Sequence, residues 1–350
     1  LPDAAFRANP ARALWFLPLL AFAGVSVGVV ASGRFGIAGA VVAIPIAGSA
    51  YASMLLLAHE VMHGAIVRSR CAQYWLAWIG FAPFLISPSL WRVWHNELHH
   101  GFTNRADRDP DVFADAQAYA SSPMSRFVVR LVPGSGTPAS LLFPFFWFAA
   151  QGQIVLWFLS TKMPGFEKFN RPRAAVESGA MLAGWCGLAF ALGGASGAVA
   201  VVLPLAVGNA VLMSYIATNH LMRPLADDDK NPLATSMSVR TPGAIDRAHF
   251  RFSHHVEHHL LPSVSGRYLP RVRTWLLENE PDRFLCVDHW RAVAWLYRTP
   301  RTYRDDRTLV DPTRPERQAV DLDQLEIRLR RRAPLPTTIG GGLAAGRSEV

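Results

Sequence analysis

Long apolar runs alternate with polar, charged segments along the first two thirds of the chain. The first run, 13–32, reads ALWFLPLLAFAGVSVGVVAS, and the second, 37–58, reads IAGAVVAIPIAGSAYASMLLLA. Each is about the 20 residues that a helix needs to cross a bilayer. The short link GRFG between them predicts a tight helical hairpin. Residues 177–193 and 197–217 form a second such pair, joined by the small-residue turn GAS. Two further apolar stretches are interrupted: 72–90 carries Pro83 and Pro88, and 139–160 carries Pro144 and a polar QGQ. Proline is tolerated in membrane helices, so the pattern alone leaves open whether these two cross. After residue 262 the chain turns polar. Residues 321–333, DLDQLEIRLRRRA, predict an amphipathic surface helix, and the tail 336–350 reads as disordered. The glycines of that tail follow no strand pattern, which argues against a dinucleotide loop.

Composition strengthens the membrane reading. Of 350 residues, 51% are hydrophobic and only 17% charged, against about 25% charged in soluble domains. The net charge of +9 does not mark a nucleic-acid binder, because the basic residues avoid the apolar runs and flank them. Arg68, Arg70 and Arg92 follow the first hairpin; Lys162, Lys168, Arg171 and Arg173 precede the second, and Arg223 follows it. The hairpin tips carry only Arg34. The positive-inside rule then places both termini and the central loops in the cytoplasm. The first run shows no small-residue cleavage site and is read as a retained span rather than a signal peptide. Cys71, Cys186 and Cys286 are far apart and form neither a disulfide framework nor a zinc motif. Cys186, inside an apolar run, is expected to pack.

Histidine carries the chemistry. Nine of the twelve histidines fall in three short windows, HEVMH at 59–63, HNELHH at 95–100 and HHVEHH at 254–259. On a helix, positions i and i+4 share a face. His59 and His63 have that spacing, as do His95 and His99, with His100 adjacent, and His255 and His259, with His258 between them. Such imidazoles can converge on a metal, and neutral imidazole suits iron, zinc, copper or nickel. Eight or nine ligands are too many for one ion and suit two. His255, His258 and His259 span an arc of about 100° on a helix, and adding His254 widens it to about 140°. The geometry therefore leans against His254 as a ligand.

The windows follow the ends of spans, so a shared site requires one side of the bilayer. The simplest arrangement is four transmembrane helices in two hairpins, with 72–90 and 139–160 interfacial or re-entrant. The expected fold is thus an all-α integral membrane protein. Its membrane-embedded core covers 1–262 and a cytoplasmic helical cap covers 263–335, the cap side carrying the histidine boxes.

These boxes resemble those of the membrane fatty acid desaturase family, whose pattern is HxxxH or HxxxxH, then HxxHH or HxxxHH, then [HQ]xxHH. Here they read His59–His63, His95–His99–His100 and His255–His258–His259, and the flanking HHGFTNRADRDPD and HHVEHHLLPS are also similar. The resemblance covers roughly residues 10–300. It implies a non-haem di-iron centre on the cytoplasmic face, O2 as co-substrate, and insertion of a double bond into an acyl chain. An unactivated methylene is too inert for acid–base chemistry, so a cofactor must carry the oxidation. In members of the stearoyl-CoA desaturase type a ninth histidine follows the fourth span, and His220 in YIATNHLMRP stands in that place. Those members carry an asparagine four residues earlier. Here Ile216 occupies that position, and Asn219 adjoins the histidine instead.

Metal-bound imidazoles usually donate their second N–H to a carboxylate or carbonyl. Glu60, Glu97 and Glu257 inside the boxes, Asp107, Asp109 and Asp111 after the second, and Asn219 and His254 are the candidates for that supporting layer. Asp227, Asp228 and Asp229 near His220 read as a solvated loop or, less readily, a docking point for an electron carrier. The chain carries no HPGG-type cytochrome b5 segment, so a separate donor such as ferredoxin or cytochrome b5 is expected. The acyl substrate can be lipid-, CoA- or carrier-protein-linked. Two other readings use the same histidines. A lipid or carotenoid hydroxylase or ketolase would share the di-iron centre. A metal transporter would place its ligands near the bilayer midplane, whereas these lie at span ends.

Overall fold

The computed structural model describes residues 1–113, 115–226 and 231–331. The acidic run Asp227, Asp228 and Asp229 and the tail expected to be disordered, 336–350, lie outside the described residues.

Four helices are long and apolar enough to cross a membrane: Pro10–Ser32, Gly36–Met62, Arg171–Ala191 and Ala195–His220. They match the four predicted spans, but two of them run on into the histidines. Apolarity stops at the first polar side chain, whereas backbone hydrogen bonding continues through it. The first span is a 3-10 turn, Pro10–Trp15, leading into α1 (Phe16–Ser32), and it turns at Gly33 with φ +63° into α2 (Gly36–Met62). Every residue of α2 from Ala50 to Met62 is buried. A helix apolar on all sides must be covered on all sides, and α1, the span Ala195–His220 and the helix Arg70–Phe81 supply the cover. By contrast Leu17, Val25 and, on α8, Phe190 remain exposed, as outer faces toward lipid would be. Cys186, expected to pack, is also exposed on α8.

The two interrupted stretches are bent. Arg70–Phe84 and Pro88–His99 meet at 103°, and Pro138–Phe145 and Trp147–Thr161 meet at 77°. In the first, α3 (Arg70–Phe81) runs down beside α2, so close at Gly80 that a Cβ there would lie 2.5 Å from the Met54 carbonyl oxygen. Leu85 takes a left-handed φ of +57° and ends it. Ser87 caps the next helix by accepting from Leu90 N, with Pro88 at its first position. The carbonyl of Leu85 is satisfied by Gln153 Nε2 and Ser178 Oγ, each at 3.0 Å. α4 (Pro88–Trp91) continues into a π-helical segment, Arg92–His99, that brings the second histidine window back against the first. A segment whose far end touches the helix it left has not carried the chain to the opposite end of the bundle.

The rest of the described chain is again mostly helical. It comprises α5 (Ala116–Ser121), α6 (Pro123–Leu131), α7 (Trp147–Trp157), the spans α8 (Arg171–Ala191) and α9 (Ala195–His220), and α10 (Pro232–Thr235). There follow α11 (Gly243–Ala248), α12 (His255–Leu260), α13 (Leu269–Asn279), α14 (His289–Arg298) and α15 (Leu322–Arg330). The predicted amphipathic helix is α15, with Leu322, Leu325 and Leu329 buried. The all-α expectation needs correction. β1 (Ser238–Arg240) and β2 (Cys286–Asp288) pair in parallel, and β3 (Thr302–Asp305), β4 (Thr308–Val310) and β5 (Val320–Asp321) form an antiparallel sheet. These strands are two to four residues long, too short to stand out by alternation. Val239, Val287, Leu309 and Val320 turn their side chains into the core.

Glu177 of α8 ties the bent segment to the bundle. Its carboxylate accepts from Tyr74 Oη at 3.0 Å, Ser87 Oγ at 2.5 Å, Ser89 N at 3.2 Å, Ser89 Oγ at 2.8 Å and Arg173 Nε at 2.8 Å. Glu177→Ala leaves these donors without an acceptor and is expected to cost roughly 2–4 kcal/mol. Thermal unfolding of the detergent-solubilised protein checks this; an unchanged midpoint would count against the clamp.

Candidate metal centre

Four elements deliver nine histidines to one end of the bundle. His59 lies in the last turns of α2 and His63 caps it. His95, His99 and His100 come from the π-helical segment, His220 ends α9, and His255, His258 and His259 lie on α12. Their ring nitrogens fall into two groups: His59, His63, His95, His100 and His258 in one, and His99, His220, His255 and His259 in the other. Within each group, one nitrogen per residue lies within 4.8 Å of all the others. His95 and His99 also form a smaller group with Asp111.

The division follows helix geometry. The second window does not have the expected α-helical register. His100 N bonds His95 O at 3.0 Å, an i to i+5 step, so His95 and His100 face one group and His99 faces the other. On α12 the ordinary i, i+4 pair His255 and His259 enters the second group, and His258 enters the first. The second and third windows thus each serve both groups. His254 stands at the N-cap of α12, with Nδ1 3.0 Å from Ser253 Oγ, and belongs to neither group.

The contacts do not form a hydrogen-bond network of imidazoles. His95 Nε2 lies 2.9 Å from His59 Nε2 and 3.2 Å from His100 Nε2, which is itself 3.2 Å from His258 Nε2. In the second group, His255 Nε2 is 2.6 Å from His220 Nε2 and 3.1 Å from His259 Nε2. A neutral ring nitrogen is either a donor or an acceptor, so the nitrogens shared between two contacts cannot satisfy both in a closed cluster. Converging lone pairs are the donor set of a cation. Ligands at right angles around an ion with bonds of about 2.1 Å stand about 3.0 Å apart, close to the separations seen. The residues therefore fit two ions with nitrogen ligands.

The protein groups favour the neutral, metal-binding form. Burial, followed by the other imidazoles, holds His100, His255, His258 and His259 well below the ordinary histidine value. Burial likewise pushes His63 down to about 3. His99 differs. Burial opposes its charge, but the carboxylates of Asp109 and Asp111 outweigh that and push it up to about 9. Its Nδ1 lies 3.1 Å from Asp109 Oδ1 and 3.2 Å from Asp111 Oδ2, which leaves Nε2 to face the group. His259 is oriented the same way, with Nδ1 3.3 Å from Thr103 Oγ1.

Of the residues expected to support imidazoles, Asp109 and Asp111 contact a histidine of the two groups. Glu60 instead accepts from Arg12 Nη2 at 2.7 Å and Gly266 N at 3.3 Å. Glu257 accepts from Arg273 Nε at 2.6 Å and from Ser238 Oγ, pinning α12 to α13 and β1. Both sit beside a ligand-bearing position, about 100° round the helix from it, so they point into packing rather than at the metal site. Glu97 is exposed, and Asp107 pairs with Arg105 at the surface. Asn219 is fully buried, and its amide has no partner among the described residues.

Three supporting residues escaped the sequence reading. Trp94 Nε1 and Gln151 Nε2 each donate to Asp111 Oδ1 at 2.8 Å. Gln151 belongs to the polar QGQ that broke an apolar run, which was its available signal. Asn104, with φ +60°, receives nothing distinctive in sequence. Its Nδ2 donates to the carbonyls of Pro224 and Thr235 at 3.1 Å each, and its N donates to Asp109 Oδ2 at 2.8 Å.

Two outcomes check this geometry by metal analysis of purified protein. Asp109→Ala removes both carboxylate oxygens that face His99 Nδ1 and is expected to weaken metal retention about 10–100-fold against a chelator. His255→Ala should lower metal content, whereas His254→Ala should leave it largely intact; equal losses would overturn the division made here.

Comparison with curated proteins finds no match to this chain. The family model described as fatty acid desaturase matches residues 35–291, a stretch that contains all nine histidines and both bent segments, and the chain belongs to that family.

Proposed function

We propose that the protein is an O2-dependent desaturase that inserts a double bond into a fatty acyl chain. Its metal ligands are His59, His63, His95, His99, His100, His220, His255, His258 and His259. The observation that carries the reading is the pair of all-nitrogen groups, five histidines and four, built from boxes in the family's order. Two iron ions, when bound, would supply the reduction of O2 and the removal of two hydrogens from the acyl chain. Overall, one O2, two electrons and two protons are consumed and two waters released for each double bond formed. The electrons come from a separate donor, ferredoxin and cytochrome b5 being the two that fit. The termini and the histidine end of the bundle face the cytoplasm, as the basic flanks of the spans suggest.

The chain's own residues supply placement. Leu55, Leu56, Trp91, Phe148, Ile216 and Phe252 line a narrow cavity that also touches His59, His95, His99, His220 and His255. An apolar wall against the ligands is what an unreactive methylene needs, since it holds the chain by shape and keeps bulk water away. Trp91 stacks on His95 with ring centroids 4.3 Å apart, and Phe252 meets His59 edge-on at 5.5 Å. These rings fix imidazole planes while presenting carbon to the substrate. Asp109 and Asp111 hold the Nδ1 proton of His99, so that nitrogen stays a donor and Nε2 stays a ligand.

Expression in a host of defined lipid profile, with an electron donor present, followed by mass spectrometry of double-bond positions, tests the reading. The expected result is a loss of two hydrogens at a defined acyl position, absent in His99→Ala and His259→Ala. A gain of one oxygen would move the assignment to a hydroxylase. An unchanged profile with iron and oxygen supplied would sink it.

A further inference from the structure

A groove of about 810 Å³ lies between α1, α2 and the turn before α12, within the size range of small-molecule pockets. Its walls are apolar: Trp15, Leu19 and Phe22 from the first span, and Pro45, Ile46 and Ala50 from α2. Its rim is basic, formed by Arg12, Arg247, Arg251 and Arg267. From Arg12 to Phe22 the helix descends about 15 Å, half of a hydrocarbon core about 30 Å thick. Trp15 is 56% exposed, Phe22 61% and Ile46 43%, so the groove opens sideways, where the spans face lipid.

The rim charge is only partly cancelled from within: Glu60 pairs with Arg12 at 2.7 Å, against four arginines. No acidic side chain among the described residues lines the groove, and Glu60, which reaches it through Arg12, also accepts from Gly266 N. Asp246, nearby on α11, is engaged by Ser253 Oγ at 2.5 Å. Arg12 Nε is buried with no partner, and the guanidinium groups of Arg247 and Arg251 make no ion pair among the described residues. Phe250 and Arg251 hold consecutive left-handed backbone angles, φ +50° and +62°, which side chains other than glycine seldom adopt. This strained turn puts Arg251 on the rim and Phe252 against His59. The groove also leads toward the metal ligands. Phe250 and Arg251 line both it and a small cavity at His59 and His258, and Leu56, His59 and Phe252 stand between that cavity and the one at His99 and His255.

We propose that this groove binds an anionic glycerophospholipid directly from the bilayer. Its phosphate sits among Arg12, Arg247, Arg251 and Arg267, and one acyl chain lies along α1 and α2. This rests on the reading of the histidine end as an acyl-chain oxidase, and it names the substrate class as a membrane lipid rather than a soluble thioester. The lateral opening favours the lipid, since a water-borne acyl carrier would require an entrance on the polar side.

Native mass spectrometry of the full chain in detergent, with equal phosphatidylglycerol and phosphatidylcholine of the same acyl chains, tests the site. Phosphatidylglycerol is expected to be retained preferentially. Arg247→Gln with Arg251→Gln should cut that preference roughly fivefold per arginine, with metal content and unfolding midpoint unchanged. Ile46→Trp, which fills the groove from its lipid side, should lower retention of both lipids. Equal retention of the two lipids by the unaltered protein, or no effect of the double substitution, would overturn the proposal. So would displacement of the lipid by acyl-CoA or inorganic phosphate at equal concentration, which would mark a site for soluble anions. Retention is read without turnover, so its outcome is separate from that of the product analysis above.

Discussion

Nine imidazoles in two close groups, mostly away from water, set the demand that the rest of the structure meets. Lone pairs held this close repel, and the rings cannot satisfy each other by hydrogen bonding. They stay converged only on a rigid frame and with a cation to bind. The frame is visible in α2, whose last three turns are buried on every side and deliver His59 into the centre. It is visible too in Glu177, which collects five donors and holds the bent segment beneath the second box. Glu60 and Glu257 serve the same end. Each fixes the helix that carries its neighbouring ligands to a distant part of the chain through an arginine, and so governs where histidines sit without touching one.

The π-helical turn at Arg92–His99 shows how one segment supplies two groups. In a plain α-helix, His95 and His99 would share a face. Widening the turn brings His100 round beside His95, while His99 enters the other group, with its Nδ1 against Asp109 and Asp111. A local departure from regular hydrogen bonding has an energetic cost, and such departures gather at functional sites. The left-handed pair Phe250 and Arg251, just before the third box, is a second case of strain at the same end of the molecule. Together these irregular turns aim ligands at one side and an aromatic wall and a basic rim at the other.

The groove beside the histidine groups also makes sense of the uneven surface of α1. One side of that helix packs on α2, and another carries exposed aromatic and branched side chains from Trp15 to Val25. The groove forms where these two conditions meet.

Much was legible in the chain because the forces involved are local or compositional. Apolar length marked four spans, and histidine density marked the site. Prolines marked the two stretches that bend, and box spacing marked the family. What sequence could not decide were relations between segments distant along the chain. The i, i+4 rule assigned His95 and His99 to one face, and their rings do stack at 5.1 Å, yet the packed π-turn gives them to different groups. Carboxylates next to a ligand in sequence, Glu60 and Glu257, looked like imidazole partners, yet one residue's rotation about a helix turned them away. Asp109 and Asp111, ten or more positions from His99, reached it because a loop pinned by Asn104 folds back. Strands of two to four residues carried too little alternation to see. Residue types and periodicity thus marked a chain with membrane-length apolar helices and histidine groups that could hold metal. Which histidines fall in which group, and what holds them there, was decided by tertiary contacts, because direction about a helix axis depends on the partners that pack against it.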